Sequence, residues 1–223
     1  MTTLGTDFRS FLQEVKAKFP TEYVEIDKQV SGTYETTAIV TKLEMQKRTP
    51  ILLFKNVAGT DFPVVVNACA SRSVVAASLG VGKDDLSDKY LHALNHLIKP
   101  VVVSSGPVQE VVLTGDQVNL KKLPQITYHN TDVGPYISGS IVMAKDPDTG
   151  SYNCSYNRLM VKDQKRLGIY MTPGKHLGQI YEKCEQRGKP MELAIVLGSH
   201  PAWCMGALFI GPYATDERDI MGG

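Results

Sequence analysis

The sequence of 223 residues is 43% hydrophobic and 21% charged, with 24 Lys and Arg against 23 Asp and Glu. This composition supports a folded core, and a net charge of +1 excludes a strong field that would recruit nucleic acid or an anionic membrane. No stretch reaches the roughly 18 apolar residues of a membrane span, the N-terminus lacks a signal-peptide core, and four widely spaced cysteines without a CxxC pair favour reduced thiols, so we expect a cytoplasmic protein.

Alternating helix and strand patterns predict an α/β domain over residues 1–100. The expected elements are a helix at 8–19 capped by Asp7, a strand at 22–30, a helix at 33–46, strands at 50–57 and 62–70, a helix at 71–81 closed by Gly80, and a helix at 84–98 before Pro100. The residues of the second helix that are expected to face inward are Ala38, Ile39, Leu43 and Met45.

From residue 101 to residue 223 the pattern changes to short strands separated by Gly and Pro, typical of an antiparallel sheet or barrel. The expected strands lie in the Val-rich stretch 100–124 and at 136–145, 152–162, 166–172 and 192–198. One helix interrupts them, with Thr172 as its cap and Pro173 at its first position. Its expected apolar stripe is Leu177, Ile180, Tyr181 and Cys184.

The strand "YNCSYNRLMVK" carries polar residues on both faces, which is unusual for a buried strand. Asn153, Ser155 and Asn157 share one face because side chains alternate, and Arg158 points to the other. One interpretation is an edge strand with a solvated face. The other is a ligand-facing strand, with an amide oxygen for a hard cation and a guanidinium for a carboxylate or phosphate.

Three further groups of residues are candidates for binding. His176 and Lys175 lie near a helix start, where exposed N–H groups attract anions. Glu217 belongs to an acidic loop near the end of the sequence, which is either solvated charge or a source of one metal ligand. His92 and His96 have metal-compatible spacing on one helix face, but the leucines around them indicate ordinary packing.

The order of several motifs resembles the UbiD-like family of reversible decarboxylases that use prenylated FMN. The opening "DFRSFLQEV", "YVEIDKQV" and "YETTAIVTKL" is similar to that of the family, and so is "TPILLFKNVAGTDFPVVVNACASRSVVAASLGV". "DVGPYISGSIVMAKDPDTGSYNCSYNRLMV" resembles its cofactor-binding core, which "MTPGKHLGQIYEKCEQRGKPMELAIVLGSHPA" continues. The resemblance covers nearly the whole chain.

The resemblance implies a role for particular residues. Asn153, His176 and Glu217 match positions that hold a divalent metal, usually manganese, which bridges to the cofactor phosphate. Arg158 matches a catalytic arginine that approaches the substrate carboxylate. The cofactor-binding residues implied by the resemblance are Asn153, Ser155, Tyr156, Asn157, Arg158, Lys175 and His176.

The resemblance also implies an α+β fold, in which the N-terminal α/β domain precedes a split β-barrel like that of flavin reductases. The expected function is the cofactor-binding part of a carboxy-lyase that acts on an aromatic or α,β-unsaturated carboxylic acid, with prenylated FMN, Mn²⁺ and K⁺ as cofactors. A flavin prenyltransferase would supply the cofactor, and the full-length parent would be a homo-oligomer.

The family's two catalytic glutamates and C-terminal domain lie beyond Gly223, so we expect a fragment that is inactive alone. Two alternatives stay open on the residues. One is a non-catalytic flavin-binding or assembly subunit, and the other is an ordinary FMN oxidoreductase on a split barrel.

Overall fold

The computed structural model describes residues 3–223, which form seven α-helices and three small sheets. The helices are α1 (Phe8–Lys18), α2 (Glu35–Met45), α3 (Arg72–Ser78), α4 (Leu86–Asn95), α5 (His176–Gln186), α6 (Pro201–Gly206) and α7 (Glu217–Gly222). The strands are β1 (Tyr23–Ile26), β2 (Ile51–Phe54), β3 (Val64–Val66), β4 (Tyr136–Ile137), β5 (Ser140–Lys145), β6 (Tyr152–Tyr156), β7 (Leu159–Val161), β8 (Leu167–Ile169) and β9 (Leu193–Leu197). Across residues 3–223, every helix is too short or too polar to cross a membrane.

The first half of the chain is built on the sheet β1-β2-β3, in which β1 and β2 are parallel and β3 is antiparallel to β2. Asp7 caps α1 as predicted, because its carboxylate accepts hydrogen bonds from the backbone N–H groups of Arg9 (2.8 Å) and Ser10 (3.1 Å). Phe11 and Val15 of α1 are fully buried against this sheet. The predicted mixed α/β character of this half is confirmed.

The prediction for α2 was wrong for two inward residues, since Ala38 and Met45 are exposed, Met45 by 82%. The buried residue Thr36 defines the inner face of the helix, and Ile39 and Leu43 follow it at helical spacing. At 100° per residue, Ala38 and Met45 lie on the opposite side of the helix from Thr36.

The Val-rich stretch 100–124 does not form the predicted strands. It contains three short 3₁₀ turns, at Pro107–Gln109, Gly115–Gln117 and Leu120–Lys122. Val101, Val102 and Val108 are between 86% and 95% exposed. β-Branched residues favour strands only where a neighbouring strand supplies hydrogen bonds and packing, and this stretch has no such neighbour among residues 3–223.

The second half contains two further three-stranded sheets, with strand orders β4-β7-β8 and β6-β5-β9. Every pairing within these two sheets is antiparallel. The predicted split barrel is not confirmed, since the strands form two separate antiparallel sheets and no closed barrel within residues 3–223. Val142 and Ala144 of β5 pack against Leu177 and Ile180 of α5 to form the core of this half.

Helix α5 begins at His176, and its N-cap is Lys175, three residues later than the predicted cap at Thr172. Pro173 and Gly174 form a tight turn instead, in which the Lys175 N–H donates to the Thr172 carbonyl (3.2 Å) and Gly174 has φ +76°. A Pro-Gly pair at the two central positions is the signature of a type II turn. Leu177, Ile180 and Cys184 are buried as predicted, whereas Tyr181 is 38% exposed.

The turn between β5 and β6 is organised around Asp146, which is 2% exposed. Its carboxylate accepts hydrogen bonds from the backbone N–H groups of Asp148 (2.7 Å) and Thr149 (3.1 Å), from the Lys183 ammonium (2.8 Å) and from the Tyr213 hydroxyl. Burial alone would raise the pKa of Asp146, but these donors hold the pKa well below its usual range. The turn, α5 and the loop before α7 are thus tied to one carboxylate.

We predict that Asp146→Asn lowers the free energy of unfolding by about 3 kcal/mol near neutral pH, because Lys183 then lacks its buried counter-ion. A carboxylate with a lowered pKa stabilises the fold above its unfolded pKa of about 3.9, and this contribution is lost as the pH falls through the folded pKa. The deficit of the variant should therefore shrink below about pH 4. Urea unfolding at several pH values measures it.

Asp148→Asn is the matched control, since Asp148 pairs with Lys183 and Arg187 but its side chain is 44% exposed. The control should cost less than about 1 kcal/mol. Equal losses in the two variants would contradict the central role of Asp146.

Candidate functional site

The outer edge of β6 is covered by the start of α7 through two carboxylates. The Tyr152 N–H donates to Asp216 Oδ2 (3.0 Å), and the Cys154 N–H donates to Glu217 Oε2 (2.9 Å). These two N–H groups point away from β5, because alternate residues of an edge strand turn their backbone groups outward. The expected terminal acidic loop is in fact a helix, whose first residues satisfy the free edge of a strand.

Asp216 is also the N-cap of α7, because its Oδ1 accepts a hydrogen bond from the backbone N–H of Arg218 (3.1 Å). The Arg218 guanidinium forms two further bonds to the same carboxylate, of 2.9 and 2.7 Å, and lies 3.6 Å from the centre of the Tyr152 ring. This arrangement fixes both the position of α7 and the direction of the Glu217 side chain that follows.

Asn153 lies between these two anchored residues and is 7% exposed. Its Nδ2 donates to Ser155 Oγ (3.1 Å), which also accepts from Asn157 Nδ2 (2.9 Å). Asn153 Oδ1 accepts no hydrogen bond from residues 3–223. The predicted polar face of β6 is therefore a connected row of side chains that leaves one amide oxygen available to a ligand.

Asn153 and His176 line the same small cleft, as the predicted metal site requires. The cleft holds about 10 Å³, which is room for a single water-sized species. The His176 ring packs edge-on against Tyr213 at 5.3 Å between ring centres. The residues that line the cleft are Asp146, Ser151, Tyr152, Asn153, His176, Ile180, Tyr213, Ala214 and Thr215.

Among the side chains of the cleft that were not predicted as site residues, two hydrogen-bond to each other. Asp146 belongs to the Asp-Pro-Asp-Thr-Gly turn, and an aspartate that opens such a turn commonly accepts backbone N–H bonds. Tyr213 had no local signal, because its role depends on a contact with Asp146, 67 residues earlier in the chain.

Glu217 is 2% exposed and does not line the cleft, although it contacts the backbone of the residue after Asn153. Burial raises the pKa of Glu217 to about 7, against the opposing effect of the Cys154 N–H, and the nearby Asp216 adds to the rise. A bound cation would favour the charged form of this carboxylate.

A group of three His, Cys, Asp or Glu side chains that could hold a metal is absent from residues 3–223. The candidate set is different in kind, because it combines the Asn153 amide with His176 and Glu217. The structure brings the first two to one cleft and places the third at the adjoining strand edge.

Arg158 lies beyond the end of β6 and does not line the cleft. Its guanidinium pairs with Asp132 (2.7 Å) and lies 4.1 Å from the centre of the Tyr136 ring, with the side chain 50% exposed. Burial of Asp132 opposes ionisation, but the His129 N–H and Arg158 lower the pKa of this carboxyl overall. Asp132 and Tyr136 therefore hold the guanidinium of Arg158 in place, while half of the side-chain surface is exposed to solvent.

The other predicted cofactor contacts are distributed around β6 and α5. Ser155 and Asn157 are partly buried beside Asn153, whereas the Lys175 side chain is exposed at the start of α5. Tyr156 packs with Ile141 and Cys154 on the opposite face of the strand, so only its backbone could serve the face of Asn153. Their roles in binding stay predictions.

His92 and His96 stack against each other with ring centres 3.8 Å apart on α4, and His96 Nδ1 lies 2.9 Å from the His92 carbonyl. Both histidines are exposed, as are Leu91 (55%) and Leu97 (52%), so the packing role predicted for the pair was wrong.

Two family profiles match the chain. The one described as the 3-octaprenyl-4-hydroxybenzoate carboxy-lyase N-terminal domain matches residues 18–94. The one described as the Rift-related domain of the same carboxy-lyase matches residues 99–223.

Curated relatives include the anhydromevalonate phosphate decarboxylase of Methanothermobacter thermautotrophicus, 29% identical over 95% of this chain and 47% of the relative. The gallate decarboxylase of Lactiplantibacillus plantarum is 30% identical over 97% of this chain and 47% of the relative. The chain thus spans about half the length of the curated relatives it matches.

Among solved structures, the UbiD-class enzyme HmfF from Pelotomaculum thermopropionicum in complex with FMN superposes with a TM-score of 0.87 and 32% identity. The match covers 96% of this chain and 47% of HmfF. An evolved dimeric form of HmfF in complex with prFMN gives a TM-score of 0.88 and 31% identity, over 98% of this chain and 50% of that one.

We predict that Glu217→Gln stabilises the protein above pH 7 in metal-free buffer, because the amide cannot ionise in its buried position. In the wild type, the neutral Glu217 carboxyl contributes fully to folding stability below its ordinary pKa of 4.5. This contribution is lost as the pH rises through about 7, where the buried carboxyl ionises. The variant should exceed the wild type by roughly 2 kcal/mol at pH 8, and the two should converge below pH 4.5. Urea unfolding with EDTA present measures this.

Glu192→Gln, at an exposed position, is the control and should change stability by less than about 0.5 kcal/mol at every pH. A Glu217→Gln variant that tracks the wild type from pH 4 to pH 8 would show that the Glu217 carboxyl is not strained by burial.

Proposed function

Since the chain belongs to the UbiD-like carboxy-lyase family, we propose that it forms the cofactor-binding part of a decarboxylase that uses prenylated FMN and Mn²⁺. The proposed substrate is an aromatic or α,β-unsaturated carboxylic acid. The observation that carries the proposal is the cleft lined by Asn153 and His176, with Glu217 anchored at the adjoining edge of β6.

The donor set of this region fits a divalent metal of the manganese type. Manganese favours carboxylate and carbonyl oxygens, which Glu217 and Asn153 supply, and we assign His176 as an additional nitrogen ligand. The Asn153 Nδ2 is already engaged with Ser155, so the free Oδ1 is the atom we assign to the metal. A metal held in this way would neutralise the buried Glu217 carboxylate and bridge to a cofactor phosphate.

The similarity to HmfF supports a flavin at the same position. The structures of that enzyme contain FMN and prFMN, and the region of similarity includes nearly all of this chain. When bound, the prenylated flavin supplies an acceptor for the electron pair that departing CO₂ leaves behind. The residues of this chain would bind the phosphate end and set the orientation of the ring beside Ser155 and Asn157.

We assign Arg158 to the substrate carboxylate. A guanidinium binds a carboxylate with two parallel hydrogen bonds, which orients the leaving group without covalent chemistry. Asp132 and Tyr136 hold the guanidinium from one side, and its half-exposed remainder is free to contact substrate. Arg158 is thus the catalytic residue that we propose within this chain.

The remaining groups of the reaction are assigned to polypeptide that corresponds to the second half of the relatives. General acid–base chemistry requires a positioned side chain that gives or takes a proton near the reacting atoms, and we propose that this part supplies two carboxylates for that role. A flavin prenyltransferase would provide the cofactor, and the complete enzyme would be a homo-oligomer.

We expect prenylated FMN to bind the 223-residue chain at least tenfold more tightly with Mn²⁺ than with EDTA. Asn153→Ala and Glu217→Gln should each remove most of this metal dependence, whereas Glu192→Gln should leave it unchanged. Flavin fluorescence titration measures binding without requiring activity. Tight binding of plain FMN that ignores the metal would contradict the proposal and favour an ordinary FMN protein.

In the assembled enzyme, we expect Arg158→Ala to lower kcat/KM for decarboxylation by at least 100-fold, because the substrate carboxylate loses its two-pronged donor. Arg158→Lys should recover only part of the loss, since an ammonium lacks the planar fork. Arg166→Ala is the control, because Arg166 forms an exposed pair with Asp163. An unchanged rate in Arg158→Ala would remove Arg158 from the reaction.

A further inference from the structure

Two cysteines that are far apart in the sequence meet where helix α6 packs against helix α3. Met205 of α6 belongs to the same apolar cluster as Val75 and Ala76 of α3, and Cys204 precedes it in the helix. Cys69 lies in the segment between β3 and α3. The packing of the two helices brings the Cys69 thiol into a hydrogen bond with the Cys204 sulfur.

The Cys204 sulfur is the shared acceptor of two hydrogen bonds. The Cys69 thiol and the Tyr156 hydroxyl both donate to it, while its own S–H reaches the Ser199 carbonyl at 3.9 Å. Tyr156 is held beside α6 because it packs in one apolar cluster with Ala207. Two donors directed at one sulfur stabilise the thiolate, since hydrogen bonds to the charged form favour that form.

These donors give the two thiols different chemical characters. The Cys69 thiol, with a further contribution from Tyr156, lowers the pKa of Cys204 to about 7 against the effect of burial. The same contact raises the pKa of Cys69, which therefore stays protonated near neutral pH. The thiolate is the nucleophilic form of cysteine, so Cys204 is the reactive member of the pair.

Solvent access separates this pair from the other two cysteines of the chain. Cys154 is 1% exposed and Cys184 is 8% exposed, as is usual for inert structural thiols. Cys69 is exposed and Cys204 is partly exposed. An oxidant in solution can therefore reach the pair but not the two buried thiols.

The surroundings of the pair favour oxidation over metal binding. A group of three His, Cys, Asp or Glu side chains that could hold a metal is absent around the pair, as elsewhere in residues 3–223. A disulfide requires the two sulfur atoms to close to about 2.0 Å. Cys69 lies in a turn, closed by the Ala70 N–H and the Asn67 carbonyl (3.1 Å), and not in a helix or strand, so a small movement of this turn can bring the sulfurs together.

We propose that Cys69 and Cys204 form an oxidisable dithiol, in which Cys204 attacks a hydroperoxide and Cys69 resolves the product to a disulfide. The bond joins the turn after β3, in the region matched by the N-terminal profile, to α6, in the region matched by the Rift-related profile. All four cysteines are free thiols in this structure, so the disulfide is a product of exposure to oxidant and not a permanent part of the fold.

The reaction takes place in two steps. The Cys204 thiolate attacks one oxygen of the peroxide, the O–O bond breaks, and the departing hydroxide takes a proton to become water, which leaves Cys204 as a sulfenic acid. The Cys69 sulfur then attacks the Cys204 sulfur, the S–O bond breaks, and the departing hydroxide combines with the Cys69 proton. Two thiols and one peroxide thus give one disulfide and two waters.

The test uses the reduced 223-residue chain with hydrogen peroxide in slight molar excess, followed by intact-mass measurement and peptide mapping. We expect a monomer whose mass is lower by two hydrogens and a cross-linked peptide that contains Cys69 and Cys204. Dithiothreitol should restore both thiols.

Substitutions separate the roles of the two cysteines. In Cys69→Ser, the serine hydroxyl keeps a donor to Cys204 but cannot resolve, so dimedone should capture a sulfenic acid at Cys204. In Cys204→Ser, oxidation of the Cys69 thiol should be at least tenfold slower than loss of the pair in the wild type. Tyr156→Phe removes one donor and should slow disulfide formation at least threefold.

Cys184→Ala is the matched control, since it removes a buried thiol and should leave the rate of disulfide formation unchanged. Circular dichroism checks that every variant is folded. A disulfide between two chains, a cross-link that includes Cys154 or Cys184, or no reaction at a peroxide concentration that oxidises free cysteine would each overturn the proposal. The wild-type result alone decides between these outcomes if a variant does not fold. Because thiol chemistry is measured rather than flavin binding or activity, failure here leaves the proposed function untouched.

Discussion

The pair of hydrogen bonds from the β6 backbone to Asp216 and Glu217 is the constraint on which the site depends. It joins residues more than 60 positions apart and fixes where α7 begins. The same strand carries Asn153 between the two anchored residues, so the candidate ligand is positioned by backbone contacts on both sides. A change in the α7 anchor would therefore move the cleft as well as the helix.

The pKa values of the two buried carboxylates near the cleft are shifted in opposite directions. Asp146 has an ammonium, a hydroxyl and two backbone N–H groups as partners, which together outweigh the cost of burial and keep it ionised. Glu217 has backbone donors but no cation partner within residues 3–223, so burial prevails and the pKa rises. Burial of Glu217 without a cation partner lowers the stability of the fold at neutral pH. Such a cost is expected at a functional site, and the proposed metal ion would supply the missing positive charge.

Much of the fold follows from local patterns in the sequence. The Asp7 cap, the apolar runs of β2 and β3 and the buried residues of α5 were predicted because each depends on nearest neighbours along the chain. The conformation of the Val-rich stretch 100–124 was not predicted, because β propensity has an effect only where a partner strand is present. The start of α5 was not predicted either, because a Pro-Gly turn competes with a helix cap.

Only part of the candidate site could be predicted from the sequence. Asn153 and His176 were candidates from a polar strand and a helix start, the resemblance to a family added their metal role, and the structure places them in one cleft. The contributions of Tyr213 and of α7 depend on contacts across 60 residues or more, for which a single sequence carries no local signal.

The two edges of the sheet β6-β5-β9 have different chemical surroundings. At the β6 edge, charged groups satisfy the backbone and create a polar, partly dry environment beside the proposed metal ligands. At the β9 edge, the backbone ladder and the apolar layer are both left open. Both edges are held in register by β5, since Ala144 pairs with Asn153 of β6 on one side and with Leu193 of β9 on the other.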